Sequence, residues 1–195
     1  ITDTIGIVSR MTYGRGDFAS ALTTPYGTAS FSYSDSTTDP ALHDLLELAD
    51  VISPWTPGRY STPTQAVGHA NKYYPPDIQW CREQSIDFLP VVFPGFSWHN
   101  MKPQDPLNKI PRLKGEFLWS QFAAAKKAGA SMIYVAMFDE VDEGTAIFKC
   151  TNNPPVGQSP FLTYEGLPSD HYLWLTGQGG RLLRGERDMQ DTVPT

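Results

Sequence analysis

Apolar residues in this chain fall into two rhythms, short unbroken runs and helical stripes, and the two alternate. Phe88–Phe93 (Phe-Leu-Pro-Val-Val-Phe) and Met132–Phe138 (Met-Ile-Tyr-Val-Ala-Met-Phe) are continuous apolar runs, which predicts strands buried on both faces. Pro90 fits the first run best near the strand start. Thr28–Tyr33 alternates small and aromatic residues, and Asp50–Trp55 holds Val51 and Ile52; both predict strands. Asp39 caps a predicted helix, with Pro40 at its first position and Leu42, Leu45, Leu46 and Ala49 on one face. Pro75-Pro76-Asp77 opens a second helix that runs to Gln84. In a third, Glu116–Ala128, Leu118, Gln121, Phe122 and Ala125 share one face and Gly129 is the stop. Ser169 caps a fourth helix over Asp170–Leu183, with Leu173, Trp174 and Leu182 apolar.

Strand and helix therefore alternate four times, which predicts an α/β fold with a parallel sheet and right-handed crossovers. Strand-to-helix loops are long (Pro94–Pro111, Lys149–Pro168) and helix-to-strand loops are short (Gly129-Ala130-Ser131). In a (β/α) barrel the long loops gather at the C-terminal face, where sites are built. Four units correspond to the C-terminal half of a (β/α)8 TIM barrel. The expected domain spans residues 26–186, followed by a flexible tail, 187–195. Residues 1–25 stay unassigned: Ile5, Ile7 and Val8 suggest a short strand, Arg15-Gly16-Asp17 a loop, and Asp17–Leu22 a helical turn. A half barrel exposes an apolar sheet edge. Self-association into a homo-oligomer, a further partner segment, or residues 1–25 would cover it.

Composition narrows the partners. The net charge is -6 and no Lys/Arg run occurs, which argues against nucleic acid. No apolar run approaches the ~18 residues of a membrane span. The first residues, Ile1-Thr2-Asp3-Thr4, are not a signal peptide; the expected location is nevertheless extracellular or periplasmic. Cys81 and Cys150 allow one disulfide or two buried thiols, and the lack of a disulfide-dense or metal-spaced pattern favours thiols. The histidines show no zinc spacing, and no phosphate loop, dinucleotide fingerprint or nucleophile elbow is present, so no metal or cofactor is expected. Aromatic residues reach 12%, enough for sugar-stacking rings and equally for an aromatic core.

Polar and aromatic groups collect at the predicted strand ends: Trp55, Arg59 and Tyr60, then Trp98, His99 and Asn100, then Asp139, Glu140, Asp142 and Glu143. The last set puts four carboxylates in five positions after an apolar strand. Crowded carboxylates repel, so some should be raised in pKa or paired. Glycoside cleavage needs such a pair, one carboxyl to protonate the leaving oxygen and another on the sugar side. A solvated acidic loop or a cation site has the same spacing. Trp98 with His99 and Asn100 suits a sugar subsite, and a packed Trp with a loop histidine is equally compatible. Arg59 either joins that subsite with Tyr60 or neutralises the acidic loop.

Three ordered runs carry a resemblance: Asp50-Val-Ile-Ser-Pro-Trp-Thr-Pro-Gly-Arg-Tyr60, Val91-Val-Phe-Pro-Gly-Phe-Ser-Trp-His-Asn100 and Met137-Phe-Asp-Glu-Val-Asp-Glu-Gly-Thr145. With the ending Ser169-Asp-His-Tyr-Leu-Trp-Leu-Thr-Gly177, they resemble the glycoside hydrolase family 71/99-like group over residues 26–186. That resemblance implies a (β/α)8 barrel acting on an α-linked oligosaccharide or polysaccharide. Family 99 members are retaining endo-α-mannosidases or endo-α-mannanases, and family 71 members are α-1,3-glucanases. The family 99 pair is a Glu-x-x-Glu in the pattern Asn-Glu-Trp-His-Glu-Gly. Here Glu140, Glu143 and Gly144 match it, and Val141-Asp142 replaces the Trp-His. The match assigns Glu140 to deprotonating the sugar 2-hydroxyl, which attacks the anomeric carbon. It assigns Glu143 as general acid, then base for water. Trp55, Arg59, Tyr60, Trp98, His99, Asn100, Asp139 and Asp142 are expected around the substrate. Two rival expectations stand beside an enzyme: a non-catalytic carbohydrate-binding protein, and a barrel remnant that self-associates.

Overall fold

The computed structural model describes residues 10–13, 19–24, 27–30 and 44–195. Two compact units divide the chain, Ile1–Leu48 and Ala49–Thr195. The expected strand at Ile5–Val8, the Arg15-Gly16-Asp17 loop and the Asp39 cap lie outside the described residues, although residues 44–46 are helical.

The first unit contains an antiparallel sheet of β1 (Arg10–Tyr13), β2 (Ala19–Thr24) and β3 (Gly27–Ser30), in the order β1-β2-β3. This corrects two expectations. Residues 19–22 are strand, not a helical turn, and residues 28–30 pair with β2 instead of founding a parallel repeat. Only two residues separate β2 from β3, which suffices for a hairpin and is far too short for a crossover.

The second unit keeps the strand–helix rhythm, with three parallel positions among the described residues where the pattern predicts four. In chain order they are β4 (Val51–Ile52), α1 (Pro63–Gln84), β5 (Asp87–Phe88), β6 (Val91–Val92), α2 (Glu116–Ala128), β7 (Tyr134–Val135) and α3 (His171–Leu183). The run Phe88–Phe93 is one chain path serving two neighbours. β5 pairs parallel with β4, and β6 pairs parallel with β7. Pro90 divides the two because it has no N–H for a ladder; its carbonyl still accepts from Tyr134 N–H at 3.0 Å.

Helix α1 starts twelve residues before the predicted Pro75. Thr62 caps it, accepting from Gln65 N–H at 3.2 Å, and Pro63 holds the first turn. Pro75 and Pro76 fall inside it on the exposed face, where water can satisfy the carbonyls that lose their partners. The opposite stripe, Ala66, Ala70, Tyr74, Ile78 and Cys81, is buried. Helix α2 matches its prediction in both bounds, and Gly129 closes it at φ 93°. Residues 117–125 are buried without a break because α1 and α3 flank the helix. Each large side chain buried there contributes roughly 1.5–3 kcal/mol. Gly179 of α3 allows the close approach, since a Cβ there would lie 2.4 Å from the Phe122 ring. The α3 cap is Asp170 instead of Ser169, whose carbonyl accepts from Cys150 N–H. Cys81 and Cys150 are both thiols.

The run Met132–Phe138 is less buried than its composition predicts: Tyr134 is 40% and Phe138 57% exposed. No described strand pairs with the outer edge of β7, so that edge stays open among the described residues. Val51 and Trp55 are exposed as well. The tail, expected to fray, has anchors. Gln190 O accepts from the Trp119 indole N–H at 3.0 Å, and Lys127 pairs with Asp191. Beneath the C-terminal strand ends, Val91, Phe93, Phe96, Ile110, Phe117 and Ala136 form the cluster that supports the site.

Candidate active site

The acidic loop leaves β7 and is folded by its own backbone. The Phe138 carbonyl accepts from Ile147 and Phe148 N–H, both at 3.0 Å. The Glu140 carbonyl accepts from Thr145 and Ala146 N–H, both at 3.1 Å. Gly144 makes the turn at φ 67°, a conformation glycine adopts without steric cost. A bond from Ser97 N–H to the Glu143 carbonyl at 2.7 Å ties the loop to the segment after β6. Asn100 reinforces that tie: its Nδ2 donates to the carbonyls of Asp142 at 3.0 Å and Pro160 at 3.1 Å.

Glu140 and Glu143 are half-buried, whereas Asp139 and Asp142 are exposed. The Glu143 carboxyl is pushed up to about 7. Burial is the main cause, followed by a hydrogen bond with Glu140 and the negative charges of Glu140 and Asp142. Near neutral pH this group holds a proton beside a second carboxyl, the condition a general acid requires.

The other expected residues separate into three places. Arg59, Tyr60 and Trp98 line one cleft, of about 610 Å³, together with His69 and Lys109. Within it Tyr60 is a wall rather than a reaching group. Its ring packs on Phe93 and Phe117, and its hydroxyl donates to Gln121 Oε1 at 3.1 Å. Burial pushes that hydroxyl up to about 12. Arg59 Nε donates to the Trp55 carbonyl at 2.8 Å. Trp55 itself is exposed, its ring 6.4 Å from that of Tyr134. His99 belongs to its own loop: Nδ1 lies 2.8 Å from the Asp105 carbonyl, so that nitrogen carries the proton. Neither Glu140 nor Glu143 lines the Trp98 cleft.

Arg112 escaped the sequence reading. It is 3% exposed and lies between the rings of Tyr164 and Tyr172, 4.9 and 4.3 Å from their centroids. Its Nη2 donates to the Ala146 carbonyl at 2.6 Å. Nothing in the local sequence marks it, because it is one of several basic residues in a proline-containing loop, with Lys109 and Lys114 close by.

Residues 59–184, from the Arg59 loop through the acidic loop to the end of α3, match glycosyl hydrolase family 99. The chain belongs to that family. It is 28% identical over 109 residues to a glycoprotein endo-alpha-1,2-mannosidase-like protein of Danio rerio, covering 56% of this chain and 24% of that protein. It is 27% identical over 108 residues to glycoprotein endo-alpha-1,2-mannosidase of Mus musculus, covering 55% of this chain and 23% of that one. The matched segment is thus about a quarter of each relative. Two solved structures of the GH99 endo-alpha-mannosidase from Bacteroides thetaiotaomicron share the fold. One aligns with TM-score 0.61 at 23% identity, over 78% of this chain and 44% of that one. The other aligns with TM-score 0.52 at 25% identity, over 61% and 38%. The family places the strand–helix units of residues 49–195 in the (β/α)-barrel class and makes the chain glycoside hydrolase-like. The described strands do not themselves close a barrel.

Proposed function

We propose that this GH99 chain carries the acid/base pair of a retaining glycosidase acting on an α-linked, mannose-type oligosaccharide. The observation that carries the proposal is the Glu143 carboxyl, raised to about 7 beside Glu140 on a loop fixed by its own backbone. Glu143 donates its proton to the leaving glycosidic oxygen. Glu140 takes the proton of the sugar 2-hydroxyl, whose oxygen attacks the anomeric carbon as the glycosidic bond breaks. Water then attacks that carbon, giving a proton to Glu143, as the bond from the carbon to the 2-oxygen breaks and the 2-oxygen regains its proton from Glu140. Both carboxyls return to their starting states, and two inversions leave the anomeric configuration retained.

The closeness of the pair supports retention. Inverting enzymes separate their carboxyls by about 6.5–9.5 Å to seat a water between them. Glu140 and Glu143 share one turn of the same loop, close enough that the charge of Glu140 raises the Glu143 carboxyl. The mannose preference rests on the family and on the relatives' names.

The test is hydrolysis of α-mannan, α-1,3-glucan and an aryl α-mannoside by the purified chain, with product stereochemistry followed by NMR. Release of the retained product by the wild type, and none by Glu143→Gln, is the expected result. Inverted product would overturn the mechanism; no turnover of any substrate would overturn the activity.

A further inference from the structure

Trp98 is the meeting point of two loops and several positive groups. The Nζ atoms of Lys102 and Lys109 lie 5.3 and 5.2 Å from its ring centroid. The loop after β4 comes close enough that a Cβ on Gly58 would sit 3.2 Å from the ring. Between these loops lies the cleft of about 610 Å³, whose polar lining is Arg59, Ser61, Gln65, His69 and Lys109. Among the described residues, no carboxylate lines it.

That lining runs against the charge of the whole chain, which is -6. Gln65 lies in the first turn of α1 and Ser61 just before its Thr62 cap, so the positive end of the helix dipole adds to the same potential. Half-buried Asp105 pairs with exposed Lys109 at 3.3 Å, an i,i+4 surface pair of the kind that contributes little. His69 is held down to about 4, mainly by burial and then by the charges of Arg59 and Lys72. At neutral pH it is an uncharged hydrogen-bonding group on the cleft wall.

A neutral sugar offers as many hydroxyl donors as acceptors, and carboxylates on the wall would suit it. This wall offers cationic donors instead, so its ligand must be rich in acceptors. Ammonium groups lie over the indole face that a sugar ring would use, and an anion would draw them off it.

We propose that this cleft binds a pyranose bearing an oxyanion substituent (sulfate, phosphate or carboxylate), with Trp98 against the ring and Arg59 and Lys109 on the anion. The sugar-binding role of the cleft rests on the proposed function; the charge preference does not depend on whether Glu143 cleaves anything.

The experiment uses the full chain carrying Glu143→Gln, titrated calorimetrically with mannose, mannose 6-sulfate, mannose 6-phosphate and inorganic sulfate. The charged sugars are expected to bind at least about tenfold tighter than mannose, the scale of one charge-assisted hydrogen bond. Added salt should weaken them, and Lys109→Gln, an exposed change, should remove about tenfold of the affinity. Mannose binding as tightly as its esters would overturn the proposal, as would an unchanged affinity in Lys109→Gln. Inorganic sulfate binding as tightly as mannose 6-sulfate would reduce the cleft to an adventitious ion site only. Charged-sugar binding by the Glu143→Gln chain, when the wild-type chain hydrolyses nothing, would defeat the hydrolase assignment alone. Hydrolysis of neutral mannan with no charge preference would defeat this proposal alone.

Discussion

Arg112 Nη2 donates to the Ala146 carbonyl at 2.6 Å, and Ala146 N–H in turn donates to the Glu140 carbonyl at 3.1 Å. A buried cation thus stands two hydrogen bonds from the backbone of one candidate catalytic residue. Burial lowers its pKa, and the flanking Tyr172 and Tyr164 oppose that shift. Its Nε and Nη1 are buried without a partner among the described residues, so its net contribution lies in packing and in the Ala146 bond.

Two replacements separate those contributions. Arg112→Ala removes both and is expected to destabilise the fold by about 2–4 kcal/mol, the range of a buried truncation that also orphans a polar group. Arg112→Met keeps most of the volume and sheds the buried charge, and the Tyr164 hydroxyl still donates to the Ala146 carbonyl. It should cost less than half as much. Urea unfolding of the two variants checks the order, and equal losses would contradict it.

Glu143 couples activity to stability through pH. Its folded pKa of about 7 lies above the ordinary 4.5, so between those values the folded chain holds more proton than the unfolded chain. Stability contributed by this group is present below pH 4.5 and is lost as pH rises through 7. The full loss is at most about 3.4 kcal/mol, from 1.36 kcal/mol per unit, and solvent screening of this half-buried group makes it smaller. Glu143→Gln cannot ionise and should escape it. The variant is therefore expected to be inactive yet more stable than the wild type at pH 8, with the difference vanishing near pH 4. Thermal unfolding across that range measures it, and a pH-independent difference would refute it.

Helix α2 is legible in the sequence because every local signal agrees: the acidic Glu116 in the first turn, basic Lys126 and Lys127 in the last, and Gly129 beyond. Helix α1 is not, because Pro75 and Pro76 look like a beginning, and only their solvent-facing position in the folded chain makes them tolerable. The split at Pro90 is visible as a blemish, but the change of strand partner on either side of it is tertiary information. Glu140 and Glu143 stand out by their spacing after an apolar run. The rotamers that turn Tyr60 into a wall and bring Trp98 beside Lys102 and Lys109 have no sequence signature. Lys109 and His69, far apart in the chain, become neighbours only through the cleft.

Gln121 is a polar residue on the predicted core face, and the structure gives the reason. Its Oε1 accepts from Phe93 N–H and the Tyr60 hydroxyl, both at 3.1 Å. Its Nε2 donates to the carbonyls of Phe93 and Phe117, both at 2.8 Å. It therefore satisfies the end of the middle strand, pairing the Phe93 N–H and carbonyl. Gln121→Leu preserves the volume but leaves buried backbone groups unpaired, at a cost of about 1–3 kcal/mol each. A fall of about 3 kcal/mol in urea is expected. A change below 1 kcal/mol, as for an exposed site, would show that water replaces the amide.

Gly144 connects loop geometry with the candidate acid next to it. Its φ of 67° is unfavourable for a residue with a side chain, by roughly 1–2 kcal/mol. A Cβ there would also lie 2.6 Å from Leu162 Cδ1, although that methyl sits at the end of a flexible side chain and can yield. Gly144→Ala should therefore fold, with a stability loss of about 1–2 kcal/mol. Activity should suffer more, because a shifted turn moves Glu143 relative to Glu140, and displacements of about 1 Å can cost about a hundredfold in rate. A drop in kcat with little change in KM is the expected signature, read on an aryl α-mannoside. Gly144→Asn tolerates positive φ better than alanine and should recover part of the stability. If alanine and asparagine were equally stable, crowding at Leu162, not backbone conformation, would be what fixes glycine here.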